Sequence, residues 1–285
     1  MEKWLEPFYK QNNYKIVYGN PKSKLCLIAF SSNALYNVST PERNVEQLSR
    51  NRFEYENVLN DIKIYKKFNK IIFLRDVTRH FYFKGINDSM NSISNILEFL
   101  KQETYGLNCY TIGNSSGGFA ATLVGYYLAN VKRVYSFGGI INPLDWHGPN
   151  FDYNVSDYLK INRMSKEDKE FLRLKKNIPN FSTNFFGVYS HFSLADQSIL
   201  LDFKYATNKH IKIIEMKTNE HGDYIWSYDY KYIILKNNLS IKFLFSILNW
   251  KTISKIGFSI LNQGLFCISS KIKSNKSLKC CSIGS

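Results

Sequence analysis

The stretch Tyr110–Leu128, YTIGNSSGGFAATLVGYYL, restricts the fold more than any other part of this chain. A β-branched and aromatic run enters a pair of serines set among glycines and leaves as an unbroken apolar run of helical length. A chain that turns this sharply from strand into helix brings two backbones into close approach, so the residues flanking the apex need little or no side chain. Gly113, Ser115 and Gly117 satisfy G-x-S-x-G, and Gly118 extends the small-residue surface. This is the pattern of a nucleophile elbow, which holds a serine in strained backbone geometry. Ser115 is favoured over Ser116 because only Ser115 has glycine two residues away on both sides. A phosphate-cradling loop fits less well, since no lysine follows the glycines.

The rest of the chain repeats the same alternation. Strand-like runs are expected near Tyr14–Tyr18, Lys24–Phe30, Lys70–Leu74, Leu107–Ile112, Arg133–Phe137, Asn184–Tyr189 and His210–Met216. Helical patterns fill the gaps at Val45–Lys67, Ile86–Lys101 and Ser116–Leu128. Strands alternating with helices predict an α/β fold with a mainly parallel central sheet and helices on both faces. Between about 143 and 179 the rhythm breaks into a polar, loop-rich excursion. It contains one clear helix start, Ser165 with Asp168 three residues later, a capping box. An insertion at the ligand-facing edge of such a sheet reads as a lid. Residues 1–238 then form one catalytic domain, and 239–285 a basic amphipathic tail.

With 44% hydrophobic residues, 21 phenylalanines and 20 tyrosines, the chain has ample surface to bury. Five cysteines are odd in number and hold no C-x-x-C pair, which argues against a disulfide framework or a zinc site and for a reducing compartment. The segment MEKWLEPFYKQNNYK is charged where a signal peptide needs a continuous apolar region, and no stretch of about 20 apolar residues exists to span a bilayer. These features together predict a cytoplasmic protein. Its formal charge of +15 invites a polyanionic partner. The lysines are scattered and accompany no nucleic-acid motif, so nucleic acid is disfavoured against an anionic substrate or an anionic membrane face.

A serine nucleophile needs a base, commonly histidine, and an acid to orient it. His221, in KTNEHGDY, follows the last expected strand and is the favoured base. His80, His147, His191 and His210 sit beside aromatic or strand residues and suit structural or lid work. Asp196, just beyond the next-to-last strand, is the favoured acid, with Asp202 and Glu220 as alternatives. The developing oxyanion needs two backbone N–H groups. One is expected from Ser116, and the second from Ser31 or Ser32 in the turn of LIAFSSNALY. No metal is implied.

In this order, the FSS turn, the GNSSG elbow, the aspartate and the EHG histidine resemble the α/β-hydrolase superfamily over about residues 25–224. The resemblance implies serine-dependent acyl transfer or ester hydrolysis, with Ser115, Asp196 and His221 as the triad and Ser116 with Ser31 or Ser32 as the oxyanion hole. The HGGG-type loop of lipases is absent. More narrowly, GNSSGGFAATLVGYYL looks like bacterial hydrolase-fold proteins of surface-polysaccharide biosynthesis, including capsule O-acetyltransferases. That implies an acyl ester or glycan substrate, no resident cofactor, and acetyl-CoA as the donor if the enzyme is a transferase. The same resemblance also admits a catalytically silent binding or assembly protein, because a fold does not fix a function.

After Asp229 the chain has no acidic residue, while apolar clusters alternate with Lys242, Lys251 and Lys255 before a Lys/Ser run. Such a tail suits an anionic membrane interface, with the alternative of a last helix packed on the sheet. Nothing near Cys280 and Cys281 forms a prenylation box.

Overall fold

The computed structural model describes residues 3–33, 41–61, 64–141, 143, 165–172, 174–204, 208–216 and 221. All of them fall within the compact unit Met1–Tyr230. The expected strands appear as β1 (Tyr14–Tyr18), β2 (Leu25–Phe30), β3 (Lys70–Leu74), β4 (Asn108–Asn114), β5 (Val131–Phe137), β6 (Asn184–Ser190) and β7 (Ile211–Met216). They form one sheet in the order β1-β3-β2-β4-β5-β6-β7. Only β1, which follows the short helix α1 (Glu6–Tyr9), runs antiparallel, against β3.

Residue alternation along a strand sends neighbours to opposite faces, and both faces of this sheet are covered. Cys26, Ile28 and Phe30 of β2 join the main core with Ile93, Ile96 and Leu100 of helix α4 (Ile93–Glu103) and Phe119 of α5 (Ser116–Tyr127). Leu27 and Ala29, between them, are equally buried on the other side. There Phe53 meets Phe73 of β3, ring centroids 6.2 Å apart. The four buried side chains of β3 and the five of β2 read as continuous apolar runs because neither face meets water.

The strand order reverses around β2. From β2 the chain moves outward to β3, then returns across β2 to β4. A crevice therefore opens beyond the carboxyl ends of β2 and β4, the place where open α/β sheets accept ligands. Ser31 and Ser32 leave one of these ends, and Ser115 leaves the other.

Two helix expectations need correction. Val45–Lys67 is broken into α2 (Pro41–Ser49), α3 (Glu56–Asp61) and a 3-10 turn at Ile64–Lys67. Asn51 and Tyr55 adopt φ of 46° and 72°, which no helix tolerates, and the residues between them, Phe53 and Glu54, turn inward and are buried. The apolar spacing that suggested a continuous helix comes from this inward loop. The helix expected from Ile86 begins instead at Ile93, where the Ser92 hydroxyl caps it by accepting from the Asn95 N–H at 3.1 Å.

The Ser165 capping box is present. The Ser165 hydroxyl accepts from the Asp168 N–H at 2.9 Å and starts α6 (Lys166–Phe171), which the short α7 (Leu174–Asn177) follows. Residues 144–164 of the expected lid lie outside the described residues, as does the tail from 239. The part of the excursion that follows Ser165 packs against the core. Phe171 and Leu174 join the core, and Phe171 meets Tyr127 at the C-terminal end of α5, the end remote from Ser115. Among the described residues, no helix is long and apolar enough to cross a membrane, and no group of histidine, cysteine and acidic side chains is arranged to hold a metal ion.

Candidate active site

β4 delivers Ser115 to the start of α5 with φ 49° and ψ −117°, outside the regions that ordinary residues populate. Such strain costs roughly 1–3 kcal/mol and persists only where its surroundings enforce it. The Ser115 N–H donates to the Phe137 carbonyl at 2.9 Å, and the Ser115 carbonyl accepts the first helical bond from the Phe119 N–H at 3.1 Å. The glycines make the turn sterically possible. A Cβ on Gly113 would lie 2.0 Å from the Gly117 carbonyl oxygen, and one on Gly117 would lie 2.3 Å from the Phe30 oxygen at the end of β2. Gly117 thereby ties the elbow to the neighbouring strand.

The structure brings Ser115, His221 and Asp196 together. The Ser115 hydroxyl donates to His221 Nε2 at 3.0 Å, and His221 Nδ1–H donates to Asp196 Oδ1 at 2.5 Å. The tautomer follows from these partners, since a carboxylate can only accept. Asp196 lies in the first turn of α8 (Leu194–Lys204), where it is wholly buried, and its other oxygen accepts from the Ser190 N–H at 2.7 Å. The His221 side chain keeps 18% of its surface exposed, open enough to meet a substrate.

The other histidines stand apart. His80 is buried, and its Nδ1–H donates to the Thr78 carbonyl at 2.5 Å. His191 is exposed and pairs with Glu215, and His210 is partly exposed, its Nδ1 3.4 Å from Asn184 Oδ1. His147 lies outside the described residues, as does Glu220. Asp202 falls within α8.

The turn after β2 departs from expectation. The Ser31 N–H continues the ladder, donating to the Leu74 carbonyl at 2.9 Å. The Ser32 N–H donates to Glu54 Oε2. Both expected donors are therefore occupied by firm acceptors, and the next amide, that of Asn33, contacts the elbow. Its N–H donates to the Ser116 hydroxyl at 2.9 Å, a neutral acceptor. The Ser116 amide itself lies at the first position of α5, where no intrahelical acceptor exists. Sequence reasoning missed Asn33 because the register of amides in a turn depends on which carbonyl closes the ladder. It missed Glu54 because that residue was assigned to a helix.

Glu54 is buried against this turn. Burial pushes its carboxyl up from 4.5 to about 7, while the hydrogen bond from the Ser32 amide pulls the other way.

No protein-family model matches the sequence, and no curated protein matches it. Solved structures do. A capsule O-acetyltransferase of Neisseria meningitidis serogroup A, in complex with CoA, is 13% identical and gives a TM-score of 0.53 over 80% of this chain and 92% of its own. Esterase B from Lactobacillus rhamnosis is 12% identical, with a TM-score of 0.51 over 80% of this chain and 86% of its own. This chain has the α/β-hydrolase fold.

Proposed function

We propose that the protein is a serine-dependent esterase or acyltransferase that works through an acyl-enzyme on Ser115. The observation that carries this reading is the continuous hydrogen-bonded chain from Ser115 through His221 to buried Asp196, mounted on a strained elbow. His221 Nε2 takes the hydroxyl proton as Ser115 attacks an acyl carbon. Asp196 holds the imidazole in the reactive tautomer and stabilises the imidazolium that forms. The oxyanion meets the Ser116 amide and, once the Ser116 hydroxyl rotates aside, the Asn33 amide. His221 then returns the proton to the leaving group, and water or another hydroxyl resolves the acyl-enzyme in the reverse sense.

For the finer assignment, acyl transfer to a hydroxyl of a surface glycan with an acyl-CoA donor is favoured over simple hydrolysis. Its support is the fold likeness to a capsule O-acetyltransferase and the net charge of +15, which suits a donor rich in phosphate. The test is a fluorophosphonate probe with mass spectrometry on the full chain, followed by acetyl-CoA turnover with and without glycan acceptor. A single adduct on Ser115 and acceptor-dependent release of CoA are expected. An unlabelled serine would turn the reading toward the silent binding protein.

The acid-free sequence after Asp229 supports work at an anionic membrane face, within reach of lipid-linked precursors. Liposome co-sedimentation should show the full chain on anionic vesicles at low salt and a truncation after Asn249 largely in the supernatant. Equal partitioning would remove the membrane from the proposal.

A further inference from the structure

The carboxyl of Glu54 lies one residue from the amide that the proposed mechanism needs, and no step of that mechanism uses it. Its contacts with the turn are reciprocal. The Glu54 N–H donates to the Ser31 hydroxyl at 3.1 Å, and Glu54 Oε2 accepts from the Ser32 N–H. Tyr82 closes the third side, its hydroxyl donating to the Ser31 carbonyl at 2.7 Å. Every polar group of Ser31 and the amide of Ser32 are thus pinned, and the next amide along the chain is the one lying on Ser116. Glu54 itself is held in place by burial and by its neighbour Phe53, which stacks under the Arg75 guanidinium at 5.2 Å.

From this geometry we infer that Glu54 is a positioning residue for the oxyanion hole: it fixes the turn after β2 so that the Asn33 amide, and not that of Ser31 or Ser32, points at the reacting carbonyl oxygen. The inference rests on the acyl-enzyme reading of Ser115. A short turn without side-chain anchors would let its amides rock by the fraction of an ångström that separates a useful oxyanion donor from a poor one. Glu54 supplies that anchor from a loop more than twenty residues away in sequence, tying the α2–α3 connection to the catalytic crevice.

The role requires an acceptor, not a charge. Glu54 Oε1, the Ser32 hydroxyl oxygen and Asn114 Oδ1 are all buried with no hydrogen-bond partner among the described residues. A carboxamide at this position would accept from the Ser32 N–H with its oxygen, and its NH2, in place of Oε1, would offer N–H groups to the Ser32 and Asn114 oxygens. Glu54→Gln should therefore preserve the turn. Glu54→Met, of similar length but without an acceptor, should free it.

The experiment uses the full chain with p-nitrophenyl acetate as a generic ester, and measures kcat and KM separately. An oxyanion donor acts only in the transition state, so its loss lowers kcat and leaves KM in place. Glu54→Met is expected to lose about 10²-fold in kcat with KM within about twofold. Its affinity for a trifluoromethyl ketone, which forms an oxyanion on serine, should fall by a similar factor. Glu54→Gln should stay within about threefold of wild type. The inference is overturned if Glu54→Met keeps its kcat, if Glu54→Gln falls as far as Glu54→Met, or if kcat and KM change together. Should Glu54→Met fail to fold, Ser31→Ala removes the other half of the clamp. About a tenfold loss in kcat supports the inference there, and an unchanged kcat overturns it. Ser115→Ala separates the two readings, because activity surviving that change defeats the acyl-enzyme itself, whereas a dead Ser115→Ala beside an active Glu54→Met defeats only the role of Glu54.

Discussion

Two turns meet where the Asn33 amide donates to the Ser116 hydroxyl, and they are built by opposite means. The elbow at residues 113–118 is a local construction, because glycines on a strand and the following helix approach so closely that no other residue fits. The turn at residues 31–33 holds no glycine. It is shaped by groups brought from elsewhere: the Leu74 carbonyl of the adjacent strand, the Tyr82 hydroxyl and the Glu54 carboxyl. A turn of the first kind announces itself in a short motif. A turn of the second kind exists only once the fold has formed.

The comparison breaks most sharply at the apex of the elbow. Ser115→Ala removes the proposed nucleophile and leaves the glycine contacts untouched, so turnover should fall by roughly 10⁴–10⁶-fold while thermal unfolding stays near wild type. An active Ser115→Ala enzyme would mean that the elbow is structural only. Next in size is Asp196→Asn, which keeps the side-chain volume but offers an N–H or a weaker acceptor to a histidine that must donate. A loss of about 10⁴-fold in kcat is expected, as for the corresponding change in serine proteases. A loss below tenfold would point to Asp202 or Glu220 as the acid. For the elbow as a structure, Gly117→Ala places a methyl carbon 2.3 Å from the Phe30 oxygen and forces β2 and α5 apart. Destabilisation above about 3 kcal/mol is expected, read as a lowered denaturant midpoint. Normal stability would show that the approach of the two turns is not tight.

The same division explains what was legible beforehand. All seven strands were found because a doubly covered sheet writes itself as short apolar runs, and α5 because its elbow fixes the start. Ser115, Asp196 and His221 were singled out as candidates because strand ends in this order mark one edge of a sheet. The segment 45–67 was misread because Phe53 fits a helical spacing while its backbone follows an inward loop between two residues of positive φ. The turn after β2 departs from expectation for a related reason. Three successive amides differ only in the acceptor each one finds, and two of those acceptors, the Leu74 carbonyl and Glu54, come from remote segments.

The smallest effect separates the turns by pH. No ionisable side chain lies between Gly113 and Gly118, whereas the turn after β2 is clamped by one whose carboxyl is raised by burial from 4.5 to about 7. A group with a raised pKa in the folded state binds its proton more tightly there than in the unfolded chain. Its contribution to stability is complete below pH of about 4.5 and is lost as the pH rises through about 7. At about 1.4 kcal/mol per pH unit, the loss across that window is on the order of 3 kcal/mol. Other carboxyl groups superimpose their own slopes on the curve, but they do so equally in a Glu54→Gln variant, which has no proton to lose at this site. Urea unfolding of both proteins at pH 5 and pH 8 isolates the difference, and wild type should lose more stability between the two than Glu54→Gln does. Parallel curves would show that Glu54 does not hold its proton more tightly in the folded protein, and would leave the clamp to geometry alone.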